Sequence, residues 1–195
     1  MACNLKHVTS AANNCKENPA GVGSYMMIVP LDSDHILQIG VHDGKNEYVI
    51  TPKTGTSLKG WKVEFKSQTG QVTSEDNGSG KAWTVTGTGR VEGNVNDMSY
   101  IARVLSNMNG KYLCFFPNGN VDEWLVVGNA YGDSEFTVAA DTGQNRSDDH
   151  GLTFTVSCNY QLYPDMKWHG KITSEEEAGS SAFADDSDDM VDITD

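Results

Sequence analysis

Apolar residues along this chain either run together in short blocks or alternate with polar ones, and both arrangements predict strands. Tyr25–Val29 (YMMIV) is a continuous apolar run stopped by Pro30, as in a buried strand. Ile36–Val41 follows the polar turn DSD and is expected to pair back against it. Asp43-Gly44 is a turn dipeptide, and Glu47–Ile50 then reads as another short strand. Thr51–Gly60 (TPKTGTSLKG), with its Pro, Gly and Thr residues, reads as an exposed loop. Beyond it Trp61, Val63 and Phe65 alternate with Lys62, Glu64 and Lys66, a period of two that puts large apolar groups on one sheet face and charges on the other. Gln71–Glu75 returns from a turn at Gly70, and Asp76–Lys81 (DNGSGK) is a hairpin signal in which Asn77-Gly78 suits a type I′ turn. Ala82–Val91 resumes the alternation through Trp83, Val85 and Val91, while Gly87 and Gly89 imply a bulge or a close approach of another group.

One segment has a different period. Met98, Ile101, Val104, Leu105 and Met108 follow helical spacing, with Asn96 or Asp97 placed to cap the start and Asn109-Gly110 to supply a left-handed stop. A helix with a single apolar stripe is expected to lie on a sheet. Strands then resume at Tyr112–Phe116, Val121–Val127 and Glu135–Ala140, separated by the turn clusters PNGN and Gly128–Ser134. In the last clear strand Leu152, Phe154, Val156, Cys158 and Tyr160 alternate with Thr153, Thr155, Ser157 and Asn159, as for a sheet with one covered and one solvated face, and Pro164 ends it. The reading is a mainly β protein, an antiparallel β-sandwich or barrel with one packed α-helix at about 98–108. It divides into an N-terminal arm over 1–24, one β-rich domain over 25–173 and an acidic tail over 174–195.

Composition supports a single domain with a true core. The chain has 195 residues, within the roughly 100–200 common for one domain, and its 20 Gly suit a fold with many turns. Charge sharpens the picture. The net charge is -13, but nine acids lie beyond Lys171 with no Lys or Arg among them, which leaves 18 acids against 14 bases for the rest. The tail carries too few apolar residues to repay its ordering entropy and reads as mobile. Gripping nucleic acid needs a dense patch of Lys and Arg to displace counterions from phosphates, and the sequence has no such run.

Motifs that carry chemistry are scarce. The N-terminal MACNLKHVTSAANNCKENPAG lacks the charged start and apolar core of a signal peptide, so synthesis in a reducing cytoplasm is expected. Cys3, Cys15, Cys114 and Cys158 include no CxxC pair, and a Cys3, His7 and Cys15 metal set has poor spacing for one ion. Cys114 in YLCFF and Cys158 on an alternating strand read as small hydrophobes. Gly87–Gly93 misses GxGxxG by one residue, and Gly80-Lys81 is followed by Ala82 where a phosphate-binding loop needs Ser or Thr. His35 and His42 flank a strand at an odd separation, which disfavours a shared site. Asp148-Asp149-His150 is a polar loop cluster without the spaced oxygens of an EF-hand. Trp61, Trp83 and Trp124 fall in strand patterns and read as core. Trp168 follows the last strand and is the candidate exposed aromatic. No catalytic, cofactor or metal residues are assigned.

The region from about Trp61 to Pro164 resembles the bacteriophage tail-tube or major-tail protein family. The resemblance lies in a Trp61–Phe65 strand and Gly-turn strands leading to the 98–108 helix. YLCFFPNGN and VDEWLVVGNAYG follow as a hairpin, and GLTFTVSCNYQLYP closes the region as a long strand. It implies a non-enzymatic virion structural protein of the tail, made in the host cytoplasm, whose partners are its own copies and other tail or connector proteins. The subunits would form a sixfold ring stacking into a tube, with residues 1–24 and Gly40–Gly60 as bridging segments, and DNA would pass through without specific binding or membrane contact. The alternative is a β-sandwich binding module for carbohydrate or a host surface, using exposed aromatics and the Asp148–His150 loop.

Overall fold

The computed structural model describes residues 22–53, 55, 57–78, 81–92, 95–107, 109–119, 122–141 and 151–174. The expected arm up to residue 21, the acidic tail from residue 175, and the Asp148-Asp149-His150 cluster lie outside them. The strands, in chain order, are β1 (Tyr25–Pro30), β2 (Ile36–Val41), β3 (Tyr48–Pro52), β4 (Ser57–Glu64), β5 (Gln71–Asp76) and β6 (Trp83–Glu92). The helix α1 (Val95–Asn107) follows, then β7 (Tyr112–Pro117), β8 (Glu123–Val127), β9 (Ser134–Asp141), β10 (Gly151–Gln161), β11 (Lys167–His169) and β12 (Lys171–Ser174). The protein is mainly β, as the patterning predicts.

These strands form three layers. The middle layer is a six-stranded sheet in the order β11-β8-β7-β1-β4-β12, antiparallel except where β12 runs parallel to β4. A four-stranded antiparallel sheet, β5-β6-β10-β9, covers one of its faces, and the β2-β3 hairpin covers the other. Alternate residues of the central strands therefore serve two cores. Met26 and Ile28 of β1, and Tyr112, Cys114 and Phe116 of β7, meet Phe154 and Val156 of β10. Met27, Val29, Leu113 and Phe115 point the opposite way, onto Ile36, Tyr48 and Ile50 of the hairpin. A strand covered on both faces has no polar side to keep, which accounts for the unbroken YMMIV and YLCFF runs.

The hairpin corrects two expectations. Ile36–Val41 pairs not with the first strand but with β3, in the register Ile39↔Ile50 and Val41↔Tyr48. Thr51–Gly60 is not an exposed loop, because Thr51 and Pro52 complete β3 and β4 already starts at Ser57. Leu58 is fully buried, since it faces the hairpin core while Val63 and Phe65, of opposite parity, face the other. Turn residues inside TPKTGTSLKG masked a strand that tertiary burial completes.

The glycines of β6 resolve in favour of close approach. Pairing with β10 runs without interruption from Leu152↔Val91 to Cys158↔Val85. A methyl group at Gly87 would come within 2.5 Å of the Phe116 ring, and one at Gly89 within 2.5 Å of Phe154. These rings occupy the space that side chains on β6 would take. The hairpin between β5 and β6 is longer than a two-residue type I′ turn, with Asp76 paired to Trp83 and the Asn77 N–H donating to the Ala82 carbonyl. The helix begins at Val95, so Asn96 and Asp97 lie in its first turn rather than ahead of it. It ends as expected, with Asn109 at φ 49° and Gly110 at φ 73°. Leu105 is buried against the core and Ala102 packs beside it, placing α1 over β9 and β10.

Gly87→Ala should lower unfolding stability by about 1–3 kcal/mol through overpacking, read as a lower urea midpoint, and adding Phe116→Leu should recover part of that loss. Burial pushes the Cys158 thiol up from its ordinary 9.0 to about 11, and burial also pushes up Cys114 and the hydroxyls of Tyr48 and Tyr112. Between pH 9 and about 11 the unfolded chain has therefore lost the Cys158 proton while the fold retains it. Stability should fall as pH rises through that window. Urea midpoints measured across it should decline, and Cys158→Ala should show a shallower decline than the parent.

Candidate assembly surface

The residues that sequence reading weighed for chemistry are dispersed. His35 Nδ1 lies 2.6 Å from Asp32 Oδ1, which also accepts the backbone N–H groups of Asp34 and His35. Burial opposes ionisation of Asp32, and the His35 hydrogen bond and charge together with those N–H groups outweigh it, holding the carboxyl below its ordinary value. This is a side-chain-closed turn leading into β2. His42 is exposed at the other end of the strand and uses Nδ1 on the Asp43 carbonyl. Cys114 and Cys158 are free and buried, where an uncharged thiol acts as a hydrophobe. No group of three His, Cys, Asp or Glu side chains is placed to hold a metal ion among the described residues.

Trp168 is a correction. It lies on β11, 5% exposed, with its ring edge-on to Phe115. Neither its strand nor β12 is legible in the sequence, because each is only three or four residues long, too short for a period to register. Trp124 is also buried, and its indole N–H donates to the Gly170 carbonyl. Trp61 and Trp83 are partly buried against the main core. Tryptophan therefore supplies packing here, and the exposed aromatics are tyrosines.

Tyr131 is 87% exposed and Tyr160 65% exposed, and both are held out by specific backbone devices. The alternation of β10 predicts Tyr160 on the covered face, but the register shifts between Cys158 and Gln161. That bulge turns Tyr160 outward and Gln161 inward. Gln161 is fully buried, accepting from the Gly128 N–H and donating to the Val126 carbonyl. Asn129, next along, accepts the N–H groups of Tyr131, Gly132 and Asp133 on Oδ1 and donates from Nδ2 to Asp133 and the Tyr160 carbonyl. The Asn in GNAYGD is a legible turn signal, whereas nothing local marks the bulge.

A second organised surface is the outer side of the four-stranded sheet. Cross-strand register lines up Gln71, Thr88, Thr155 and Thr137 in one row and Thr73, Thr86, Ser157 and Glu135 in the next. The face is rich in hydroxyls and carries more acid than base, with Glu75, Glu92, Glu135 and Arg90 among its charged members. Its outer strands, β5 and β9, have no further strand beyond them among the described residues. Each thus presents a row of N–H and C=O groups to its surroundings. The polar composition of β5, QVTSED, is the sequence trace of an exposed edge.

No helix among the described residues is long and apolar enough to cross a membrane. No family model, curated protein or solved structure matches the chain. The likeness to tail-tube proteins therefore rests on the residue pattern alone. Asn129→Ala, which removes the side-chain acceptor of the Tyr131 and Asp133 N–H groups and leaves Gly132 only its bond to the Asn129 carbonyl, should cost about 1–3 kcal/mol. Amide exchange at Tyr131, Gly132 and Asp133 should accelerate in that variant while β10 retains its protection.

Proposed function

We propose that this protein is a non-enzymatic structural subunit that self-assembles into a ring or tube, acting as the DNA conduit of a virion tail or connector. One observation carries the reading: among the described residues, the four-stranded sheet has two open edges that differ from each other and run in opposite directions. Successive antiparallel neighbours from β5 through β6 and β10 to β9 leave β5 and β9 antiparallel. A copy rotated about an axis along the strands then brings its β5 antiparallel to the first copy's β9, and the ladder continues across the boundary. Because the two edges are unlike, the contact is head-to-tail, the kind that closes into rings.

The outer face supports the same reading. A wall of threonine hydroxyls whose charged members are mostly carboxylates does not grip phosphate as a basic patch would. The hairpin β2-β3 bears on the bridging role given to Gly40–Gly60. That stretch packs on the central sheet, and its tip is tied down by the Asn46 side chain donating to the Asp165 carbonyl and by the Lys167 N–H donating to the Asn46 carbonyl. Bridging between rings would therefore fall to residues 1–24. The second reading, a binding module for carbohydrate or a host surface, loses Trp168 but gains the exposed Tyr131 and Tyr160 on a braced loop and bulge.

Assembly separates the two. Size exclusion with light scattering, followed by negative-stain microscopy at high concentration, should reveal rings or tubes. Thr73→Lys with Thr137→Lys, which adds like charge to both open edges, should yield a monomer with an unchanged melting temperature. A parent protein that stays monomeric at every salt and concentration would sink the proposal, and glycan binding lost in Tyr131→Ala would favour the second reading.

A further inference from the structure

Tyr131 and Tyr160 stand on one rim of the protein, and a single buried side chain ties their backbones together. The Asn129 carboxamide accepts the Tyr131 N–H and donates to both the Tyr160 carbonyl and Asp133 Oδ2. Two exposed rings and an exposed carboxylate thereby share one brace. Asp133 joins no ion pair among the described residues. Aromatic faces near such a carboxylate suit a cation, which both attract. The protein already makes one contact of this kind, with Lys62 Nζ 5.0 Å from the Tyr25 ring centre.

The chain enters the fold at the opposite rim. β7 begins at Tyr112, which exchanges hydrogen bonds with Ser134 close after Tyr131, and ends at Pro117, whose carbonyl accepts the Gly23 N–H. In the other sheet Tyr160 follows the Cys158↔Val85 pair at one end of β10. Val22 lies against Gly70, just ahead of the Gln71↔Thr88 pair and toward the other end. Residues 1–21, which lie outside the described residues, carry Lys6 and Lys16 against Glu17 alone, in a chain of net charge -13. Fully extended they span about 70 Å at roughly 3.3 Å per residue, about twice the length of the 11-residue β10. We infer that the seat formed by Tyr131, Asp133 and Tyr160 receives residues 1–21 of a copy in the adjoining ring, an arm lysine lying over the tyrosines and against Asp133. This rests on the ring reading and assigns the ring-to-ring contact its socket. Because entry point and seat lie on opposite rims, the contact is head-to-tail, and every ring offers both halves of it, so stacking continues into a tube.

Complementation in the full chain tests it. Lys6→Glu with Lys16→Glu spoils the arm, and Tyr131→Ala with Tyr160→Ala spoils the seat. Each variant alone should still form rings, while the fraction of rings found in tubes by negative-stain microscopy should fall at least tenfold. Preformed rings of the two variants, once mixed, should join in pairs and no further, since each supplies the half that the other lacks. Tubes that persist in the seat variant would overturn the seat, and tubes that persist in the arm variant would overturn residues 1–21 as its occupant. Variants that lose tubes separately but form no pairs when mixed would overturn the contact between the two. Glycan binding lost in a seat variant that still forms tubes would pass the tyrosines to the second reading. Parent rings that never stack would overturn the inference and leave the ring reading intact. A strictly monomeric parent would instead defeat the ring reading on which the inference stands.

Discussion

Antiparallel sheets commonly keep one face for water, but the central strands of this protein are covered on both sides, and the remaining architecture follows from satisfying that condition. Once β1 and β7 have apolar residues at nearly every position, two further layers must exist to cover them. The four-stranded sheet supplies one cover and the β2-β3 hairpin the other. The hairpin is small, so it needs fixing in place. Tyr48 does this from within the second core, its hydroxyl donating to the Gly128 carbonyl at 2.7 Å.

Space for the main core comes from β6. Where Gly87 and Gly89 offer no side chains, the rings of Phe116 and Phe154 fill in, and Phe154 stacks on Phe136 from β9. Aromatic packing thereby links the middle layer to the far edge strand. The same chain of contacts supports the floor of a groove between α1 and β9, because Phe136 belongs both to the core and to the groove lining. A contact made at that edge would be seated on the core itself.

The features of the exposed surface were legible in unequal degree. Alternating Thr in β6 and β10 predicted a polar outer face, and it is there. The opposite fates of Trp168 and Tyr160 were not legible, for different reasons. Trp168 is buried by pairing with β8 across more than forty residues of chain, Trp168↔Trp124, a relation no local window contains. Tyr160 is exposed because Gln161 is drawn inward to serve the Gly128 N–H and the Val126 carbonyl. Satisfying that buried backbone pair outweighed the hydrophobic preference of one tyrosine.

The amino-acid order by itself determined the β class, the strand segments with period two, the one helix with its Asn109-Gly110 stop, and the separation of an acidic tail from a mildly acidic body. Each of these depends on residues close in sequence, whose side chains share a face or a turn. Tertiary structure alone decided that Ile36–Val41 pairs with β3, that Ser57–Gly60 is strand, that β11 and β12 exist, and which strands remain edges. An edge is defined by the absence of a neighbour in space, and pairing energy comes from partners far apart along the chain. Local periodicity can identify a strand, but only the assembled sheets determine which of its sides is left open.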